Sequence, residues 1–503
     1  MAFRFSLILH FLLLTFIVFI QAQNVDERDP TIKTMEEHSG YPLHEILSIS
    51  SFSVDSLNLQ KQIDELSSFS DSPAPSVTRI LYSENDVLAR RFIKNLMAHA
   101  GLSVREDAVG NIFGRWKGSE PDLSVVSTGS HIDAIPYSGK YDGVIGVLGA
   151  IEAINVLKRY GFKPKRSLEV IMFTSEEPTR YGISCLGSRL LAGSVSLAGA
   201  LKQTVDNHNI SFLDAAKSAG YAKNEDFSNV FLDDRIYSAF VELHIEQGPI
   251  LENEGCMLFY SFTLPFFTLH IYKCQFTLSL EGVSIGIVTA IAAPASIKVE
   301  FGGSGGHAGA VLMPQRNDAG LAAAELALAV EKHVLESRSI DTVGTVGILE
   351  LHPGAINSIP SKSHVEIDTR DIDEKRRNNV IEKIHESAVE ISKRRGVEVL
   401  EFKIVNQDPP ACSDDSIIKA MESATQVLNL SYKKMISRAY HDSLFMARKA
   451  PMGMIFIPCY KGYSHKPEEY AAPEDIANGV KVLALTLANL SNVNVSSQAA
   501  FSS

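Results

Sequence analysis

Strand-like apolar runs alternate with helix-like segments along the first half of the chain, and this alternation strongly constrains the fold. The strings LSVVSTGSH (123–131) and RSLEVIMFTS (166–175) are typical of strands, and GVIGVLGAIEAINVLKRYG (143–161) between them is typical of a helix. Continuous apolar strands separated by amphipathic helices indicate a parallel sheet that is buried on both faces. In such α/β folds the reaction centre lies at the carboxyl ends of the strands.

A different pattern interrupts this alternation in the middle of the chain. Four strand-like and two helix-like segments follow one another in the order β-α-β-β-α-β, with the long helices over 317–338 and 373–396. That order is typical of a split βαβ sandwich. The α/β pattern then resumes and ends with a helix over 473–490.

We therefore predict an α/β fold with two domains. The larger is a discontinuous catalytic domain over 54–249 and 405–492, with a mostly parallel sheet flanked by helices. The smaller is an inserted ferredoxin-like lid and dimerisation domain, an α+β sandwich, over 250–404.

The amino terminus has the pattern of a secretory signal peptide over 1–22, with one cation, Arg4, before an apolar run that ends at Ala22. An uncleaved anchor is the alternative, but the run is short for a spanning helix. We expect a flexible leader over 23–53, a tail over 493–503 and residence in the endoplasmic reticulum or secretory pathway. Four sequons could make the chain a glycoprotein: Asn209, Asn429, Asn489 and Asn494.

Charge and cysteine content exclude several classes of partner and site. The formal net charge is −12, without clusters of lysine and arginine, which argues against nucleic acid and anionic membranes as partners. The five cysteines are scattered and form no CxxC pair, so we expect neither a disulfide framework nor a structural zinc site.

Five short strings place metal-competent side chains at predicted strand ends or loops. A lone histidine or Asp-Gly in such a place is weak evidence, but three histidines, an aspartate and a glutamate in one α/β domain form a mixed nitrogen and oxygen ligand set. We therefore predict a bound metal. The strings are GSHIDAIP with His131 and Asp133, GKYDGVIG with Asp142, SEEP with Glu176 and Glu177, HIEQGP with His244, and GYSHKPEEY with His465.

The adjacent carboxylates of Glu176 and Glu177 are the most informative pair, because like charges this close repel each other. A metal bound by one carboxylate offsets that repulsion, and the other carboxylate is then free to take a proton from a water molecule. A solvated acidic turn is the alternative reading of the same pair.

These motifs resemble the dinuclear metal amidase superfamily, which includes aminoacylases and metallocarboxypeptidases, and within it the amidohydrolases of N-carbamoyl compounds. The resemblance covers residues 55–492 except 256–282. It rests on GSHIDAIPYSGKYDG, FTSEEPTRYGISCLGSRLLAG, HIEQGPILE, AYHDSLFMA and IPCYKGYSHKPEEY. It implies a catalytic α/β domain with an inserted ferredoxin-like lid that forms a homodimer.

The resemblance also implies roles for single residues. Asp142 would bridge two metal ions, with His131 and His244 on one ion and Glu177 and His465 on the other. The ions would be two Mn²⁺ per subunit, although the ligand set alone does not choose manganese over Zn²⁺.

Further roles follow from the same resemblance. Glu176 would be the general base and Asp133 would orient a metal-binding histidine. His307 would reach across the dimer to polarise the scissile carbonyl. The substrate would be bound by Gln247, Asn357, Arg370 and His441, with the guanidinium on its carboxylate.

The implied activity is hydrolysis of a ureido C–N bond in purine (ureide) catabolism. Ureidoglycolate is the expected substrate, with glyoxylate, ammonia and CO2 as products. Allantoate or another N-carbamoyl compound is the alternative, but related allantoate enzymes usually have DEEG and GHDA where this chain has SEEP and YHDS. A dipeptidase-like enzyme and a catalytically impaired dimeric homologue are the other hypotheses.

Residues 256–282, CMLFYSFTLPFFTLHIYKCQFTLSLEG, depart from the family pattern. The segment is apolar, it lies where the chain enters the lid, and the Glu-Gly pair at 254–255 recurs at 281–282. We predict that it is a gene-model artefact or marks a poorly folding isoform, with a lineage-specific loop as the alternative. If chains with and without 256–282 are equally soluble, dimeric and active, this prediction is wrong.

Overall fold

The computed structural model describes residues 53–222, 225–254 and 283–492. The strands in these ranges are β1 (Val77–Arg79), β2 (Ser103–Glu106), β3 (Ile112–Trp116), β4 (Val125–His131), β5 (Ala134–Ser138), β6 (Leu168–Phe173), β7 (Tyr237–Ile245), β8 (Ile285–Ile291), β9 (Ala293–Gly302), β10 (Gly306–His307), β11 (Val343–His352), β12 (Ser358–Ile359), β13 (Lys362–Asp371), β14 (Glu398–Gln407), β15 (Ala411–Cys412), β16 (Tyr432–Ser437) and β17 (Met452–Ile457).

The α-helices in the same ranges include the four long helices that the sequence predicted, and the ends of these four differ from the prediction by no more than two residues. They are α1 (Ser56–Ser68), α2 (Glu84–His99), α3 (Val144–Arg159), α4 (Leu186–Leu191), α5 (Val195–Ala200), α6 (Phe212–Ser218), α7 (Ile250–Glu254), α8 (Ala319–Glu336), α9 (Glu374–Arg395), α10 (Asp415–Val427), α11 (Ser443–Met446) and α12 (Pro473–Asn492).

The larger sheet has the strand order β15-β8-β17-β7-β4-β6-β3-β2, and β16 pairs with β8. Its centre is parallel, because β4 runs parallel to both β6 and β7, and β17 runs parallel to β7. Towards the edges the pairs β3 with β6 and β8 with β17 are antiparallel, whereas β16 runs parallel to β8. The α/β prediction is therefore confirmed, with the parallel arrangement concentrated in the middle of the sheet.

Helices cover both faces of this sheet. Leu243 of β7 lies against Gly149 of α3 and Gly479 of α12, and a Cβ at Gly146 would come within 2.4 Å of the Leu243 carbonyl oxygen. Phe240, which points to the other face because side chains alternate along a strand, belongs to a core with residues of α4 and α6. Every residue of β4 and β6 is buried, as expected for strands that are covered on both faces.

The smaller sheet has the order β11-β13-β9-β14 with antiparallel neighbours, as in a ferredoxin-like sandwich. Its core joins Ile297 and Phe301 of β9 to Leu326 of α8 and Ile384 of α9. The predicted β-α-β-β-α-β lid is therefore the arrangement that the chain adopts. The strands β11 and β14 form its two edges.

The lid begins later than the sequence predicted. β8 pairs with β16 and β17 in the larger sheet, so the boundary placed at residue 250 is wrong and the small sheet begins at Ala293. The physical reason is that β8 and β9 are both apolar and only Ala292 separates them. Hydrophobic pattern alone does not show that the chain passes from one sheet to the other at this residue.

Several predictions fall outside the described residues: the signal peptide, the leader up to residue 52, the segment over 256–282 and the tail over 493–503. They stay predictions, as does the expected localisation. In the ranges that the structure describes, no helix combines the length and apolarity needed to cross a bilayer.

The chain crosses between the two domains at Ala292–Ala293 and again after β14, and charged side chains fix both crossings. Arg377 of α9 is fully buried and donates to the carbonyl oxygens of Ala293 and Asp408. The Asp408 carboxylate accepts hydrogen bonds from Arg448 at 2.7 Å and from the Tyr440 hydroxyl at 2.5 Å. Arg189 lies 3.0 Å from the same carboxylate. The hinge is therefore held from both domains.

We expect Asp408→Asn to lower the free energy of unfolding by about 2 kcal/mol at neutral pH, since it weakens charge-assisted hydrogen bonds. Burial alone would raise the pKa of Asp408, but Arg189, Tyr440 and Arg448 outweigh burial and hold the pKa below its ordinary value. The stabilisation is thus present above about pH 4 and is lost as the pH falls through the lowered pKa. Denaturant unfolding of both proteins at neutral pH and near pH 3 measures this difference.

Asp234→Asn is the matched control, because Asp234 is 88% exposed and its ion pair with Lys449 is solvated. It should change the unfolding free energy by less than about 0.5 kcal/mol. An equal effect of both substitutions would contradict the role given to Asp408.

Candidate active site

The five predicted metal-binding residues converge at the carboxyl ends of the central strands. His131 ends β4, Glu177 follows β6, and His244 is the penultimate residue of β7. Asp142 precedes α3, and His465 lies in the loop between β17 and α12. Up to 334 positions separate these residues in sequence, and the parallel sheet brings them to one edge.

The donor atoms form two groups that share Asp142. In the first group, Asp142 Oδ1 lies 3.1 Å from His244 Nε2 and 3.9 Å from His131 Nε2. In the second, His465 Nε2 lies 3.2 Å from Asp142 Oδ2 and 3.1 Å from Glu177 Oε1. Within each group the donor atoms lie no more than 4.8 Å apart. These two groups contain the same side chains as the two ligand sets that the family resemblance implied.

Gly143 is required at the start of α3 beside these groups. Its φ of +66° is in the left-handed region, and a Cβ there would lie 2.4 Å from the His131 ring. Its N–H also faces His244 Nε2 at 3.2 Å. The glycine therefore lets the backbone approach both histidines.

Asp133 has a broader role than the one predicted. Its backbone carbonyl oxygen lies 3.1 Å from His131 Nδ1, whereas its carboxylate is 3.5 Å away. The carboxylate instead accepts the backbone N–H groups of Glu176 at 3.2 Å and Glu177 at 2.9 Å. Asp133 thus orients the histidine mainly through its backbone and holds the Glu-Glu turn through its side chain.

The two glutamates point in different directions after a residue, Ser175, whose φ is +54°. Glu177 contacts His465, whereas Glu176 Oε2 lies 4.0 Å from His131 Nε2. Burial raises the pKa of Glu176 well above its ordinary value; the charge of His131 opposes this rise and the charge of Glu177 adds to it. A carboxyl with a raised pKa is suited to proton transfer near neutral pH.

The electrostatics of the site favour positive charge. Hydrogen bonds to Asp142 and Glu177 raise the pKa of His465 to about 11. Its side chain is 47% exposed, whereas those of His131 and His244 are almost fully buried. Imidazole nitrogens and carboxylate oxygens around a shared aspartate fit a divalent metal, with one group buried and the other open to solvent.

Two of the predicted substrate-binding residues lie beside the metal-competent groups. Gln247 Nε2 donates to Asp142 Oδ2 at 2.8 Å, and its backbone has a φ of +56°. The His441 ring packs edge-on against His244 at a centroid distance of 4.6 Å. Burial lowers the pKa of His441 well below its ordinary value, and the charge of His244 adds to this, so the ring is neutral.

The other predicted residues lie on the lid. Arg370 is close enough to lower the pKa of His441 further, and it donates to the carbonyl oxygen of Arg438 across the hinge at 3.1 Å. His307 lies on the short strand β10, and Asn357 immediately precedes its partner strand β12; both residues are exposed. Among the described residues, neither of them hydrogen-bonds to the five metal-competent side chains.

Sequence reasoning missed two residues that hold Asp142. Glu469 is buried, and its Oε1 accepts the backbone N–H groups of Tyr141 at 2.7 Å and Asp142 at 3.0 Å. The Ser464 hydroxyl lies 2.7 Å from Asp142 Oδ2. Burial, aided by the charge of Asp142, raises the pKa of Glu469 to about 7. The available signal was their place beside His465 in one string, GYSHKPEEY.

Glu242 also lies near the site and was not predicted. With His244 and His441 it forms a third group of donor atoms that lie within 4.8 Å of one another. Its carboxylate accepts hydrogen bonds from the hydroxyls of Ser130 and Ser443. Through these bonds Glu242 links β7 to β4 and to α11.

A model of the peptidase family M20/M25/M40 matches residues 128–489. The chain belongs to this family. The ureidoglycolate hydrolase of Arabidopsis thaliana is 71% identical to it, over 92% of this chain and 94% of its own length. The ureidoglycolate hydrolase of Oryza sativa subsp. japonica is also 71% identical, over 91% of this chain and 91% of its own length.

Solved structures show that the fold of this chain is also similar to that of a close relative. Crystal structures of AtUAH in complex with (S)-hydroxyglycine and with glyoxylate superpose with a TM-score of 0.79 at 72% identity, covering 88% of this chain and 99% of theirs. Allantoate amidohydrolases are more distant: that of Escherichia coli is 31% identical over 86% of this chain and 97% of its own. The predicted resemblance to N-carbamoyl amidohydrolases is confirmed.

Proposed function

We propose that the chain is a metal-dependent amidohydrolase that cleaves the ureido C–N bond of ureidoglycolate, with glyoxylate, ammonia and CO2 as the final products. The observation that carries this proposal is the pair of donor groups joined by Asp142, in a chain 71% identical to two ureidoglycolate hydrolases. The ligands of the AtUAH crystal structures, (S)-hydroxyglycine and glyoxylate, are the compounds expected after the ureido bond is broken.

We assign the metal-binding roles to the two donor groups. His131, Asp142 and His244 would hold one divalent ion, and Asp142, Glu177 and His465 a second, with Mn²⁺ proposed in both positions. Such ions lower the pKa of a bound water and polarise a carbonyl. The Asp142 carboxylate can serve both positions because its two oxygens face opposite groups.

Glu176 is the proposed general base and acid. Its Oε2, on the side of His131, accepts a proton from the attacking water and returns it to the leaving nitrogen. Asp133 fixes the backbone from which this carboxylate projects. His441, neutral at physiological pH, lines the pocket without adding charge.

Arg370 is the proposed partner of the substrate carboxylate. Asp368 accepts hydrogen bonds from its Nε at 2.7 Å and from one Nη2 hydrogen at 3.4 Å, and the Arg438 carbonyl oxygen accepts from Nη1. Among the residues that the structure describes, one N–H therefore remains on each terminal nitrogen, and such a pair can bind a carboxylate with two hydrogen bonds. Gln247 and Asn357 are the proposed neutral contacts of the substrate.

Glu176→Gln should retain its metal and lose most turnover, because the amide cannot accept a proton while Asp142 and the histidines are unchanged. Glu177→Gln should lower metal content itself, because it removes an anionic ligand. Metal analysis of the dialysed proteins and initial rates separate the two effects. Full activity of Glu176→Gln would contradict this division of roles.

The substrate and metal assignments are tested together by ammonia release. After chelation the protein should be inactive, and Mn²⁺ should restore activity better than Zn²⁺, with ureidoglycolate turned over faster than allantoate. A clear preference for allantoate would replace the proposed substrate with the nearest alternative in the family. Activity that survives complete removal of metal would contradict the whole assignment.

We also propose that the protein is a homodimer formed through the lid. Along α8, the leucines Leu321, Leu328 and Leu335 recur every seven residues and are 42%, 68% and 73% exposed. Beside them β11 is an edge strand, and its exposed Leu349 and Leu351 point to the face of the sheet on which α8 packs. Exposed leucines on a helix and on the neighbouring edge strand are typical of a subunit interface, and a twofold axis would pair such a face with itself.

A dimer would also explain the position of His307, which lies on the lid away from the five ligands. Heterodimers of His307→Ala with Glu176→Gln subunits should show about half the wild-type rate, because one site receives an intact base and a histidine from its partner. Heterodimers of the double variant with wild-type subunits should be nearly inactive. The reverse result would mean that His307 acts within its own subunit.

A further inference from the structure

Cys185 contacts the proposed base, and neither the metal-binding groups nor the substrate contacts account for it. Its Sγ lies 3.3 Å from Glu176 Oε1, and its backbone N–H donates to the Glu176 carbonyl oxygen at 2.7 Å. Its φ of +52° places it in the left-handed region just before α4. The thiol and the backbone of one residue therefore hold both ends of Glu176.

The contact fixes the orientation of the Glu176 carboxylate, so that one oxygen meets the thiol and the other faces the site. Oε1 is occupied by the thiol, whereas Oε2 is the oxygen that lies 4.0 Å from His131 Nε2. A carboxylate without such a partner can rotate about its last torsion, because that torsion has broad minima. A bond to Oε1 alone keeps the proton-accepting oxygen directed at the ligand groups.

The surroundings of Cys185 make the thiol a donor. The side chain is fully buried and packs in an apolar cluster with Leu444, Phe445 and Met454. Burial raises the pKa of its thiol well above the ordinary value, and the charge of Glu176 adds to this effect. The protonated thiol therefore donates to the carboxylate and does not repel it.

We propose that Cys185 is a positioning residue: its thiol donates to Glu176 Oε1 and directs Oε2 towards the water-activating centre. This rests on the proposed function, in which Glu176 is the base. The alternative is that Cys185 only fills space in the apolar cluster, as buried free cysteines often do. If Cys185 is a positioning residue, its effect on kcat depends on Glu176; if it only fills space, its effect on kcat does not.

Kinetics of matched variants distinguish these readings. Cys185→Ala should lower kcat about five-fold, the loss expected for one ordinary hydrogen bond, with KM and metal content unchanged. Cys412→Ala removes an exposed thiol of β15 and should keep wild-type kcat. A wild-type kcat in Cys185→Ala would overturn the proposal.

A double-mutant cycle tests the coupling to the base. Glu176→Asp keeps a carboxylate but withdraws it from the thiol, so adding Cys185→Ala to it should have almost no further effect on kcat. A further loss as large as in the wild-type background would mean that Cys185 acts by packing, and would overturn the proposal. If Cys185→Ala does not fold, Cys185→Val, which fills the apolar site and has no side-chain hydrogen-bond donor, takes its place in the cycle.

Infrared spectroscopy tests the contact without any substrate. The S–H band of Cys185, obtained by subtracting the spectrum of Cys185→Ser, should lie below that of the exposed Cys412 and should rise in frequency in Glu176→Ala. A band at the Cys412 frequency that does not respond to Glu176→Ala would overturn the proposal. This measurement needs no turnover, so it remains valid even if the protein hydrolyses no ureide. That result would refute the proposed function without deciding whether Cys185 contacts Glu176.

Discussion

The site depends on one carboxylate, that of Asp142, which faces His244 with one oxygen and His465 with the other. A buried anion in contact with several side chains is stable only when its position and charge are both supported. Glu469 fixes its backbone, and the carboxylate precedes α3, whose amino terminus favours negative charge. The two donor groups are therefore parts of one electrostatic unit.

The same principle explains the adjacent glutamates. Repulsion between Glu176 and Glu177 is limited because the Asp133 carboxylate holds both backbone N–H groups, so that the side chains diverge from a fixed turn. One side chain meets His465 and the other meets Cys185 and faces His131. Glu176 and Glu177 are therefore adjacent in sequence but contact different side chains.

The sequence predicted the parts of this molecule whose cause is local. Strand and helix patterns and ligand strings at strand ends depend on neighbouring residues, so β4, α3 and a mixed nitrogen and oxygen ligand set could be predicted. The division of that set into two groups was implied by the family resemblance alone. The transfer of β8 to the larger sheet could not be predicted, because it depends on pairing with β17, about 165 residues away. The supporting contacts of Glu469 and Cys185 were missed for the same reason, since their partners Asp142 and Glu176 are set by tertiary structure.

The position of β17 has a consequence for how the chain reaches its native state. β17 pairs with β7 and β8 in the middle of the larger sheet, yet it is synthesised after the whole lid. The lid, over 293–407, finds all its strand partners within its own span. It can therefore fold while β7 still has an open edge, and His465 follows later still. The order of synthesis thus makes the metal-binding edge of the sheet among the last parts to be completed.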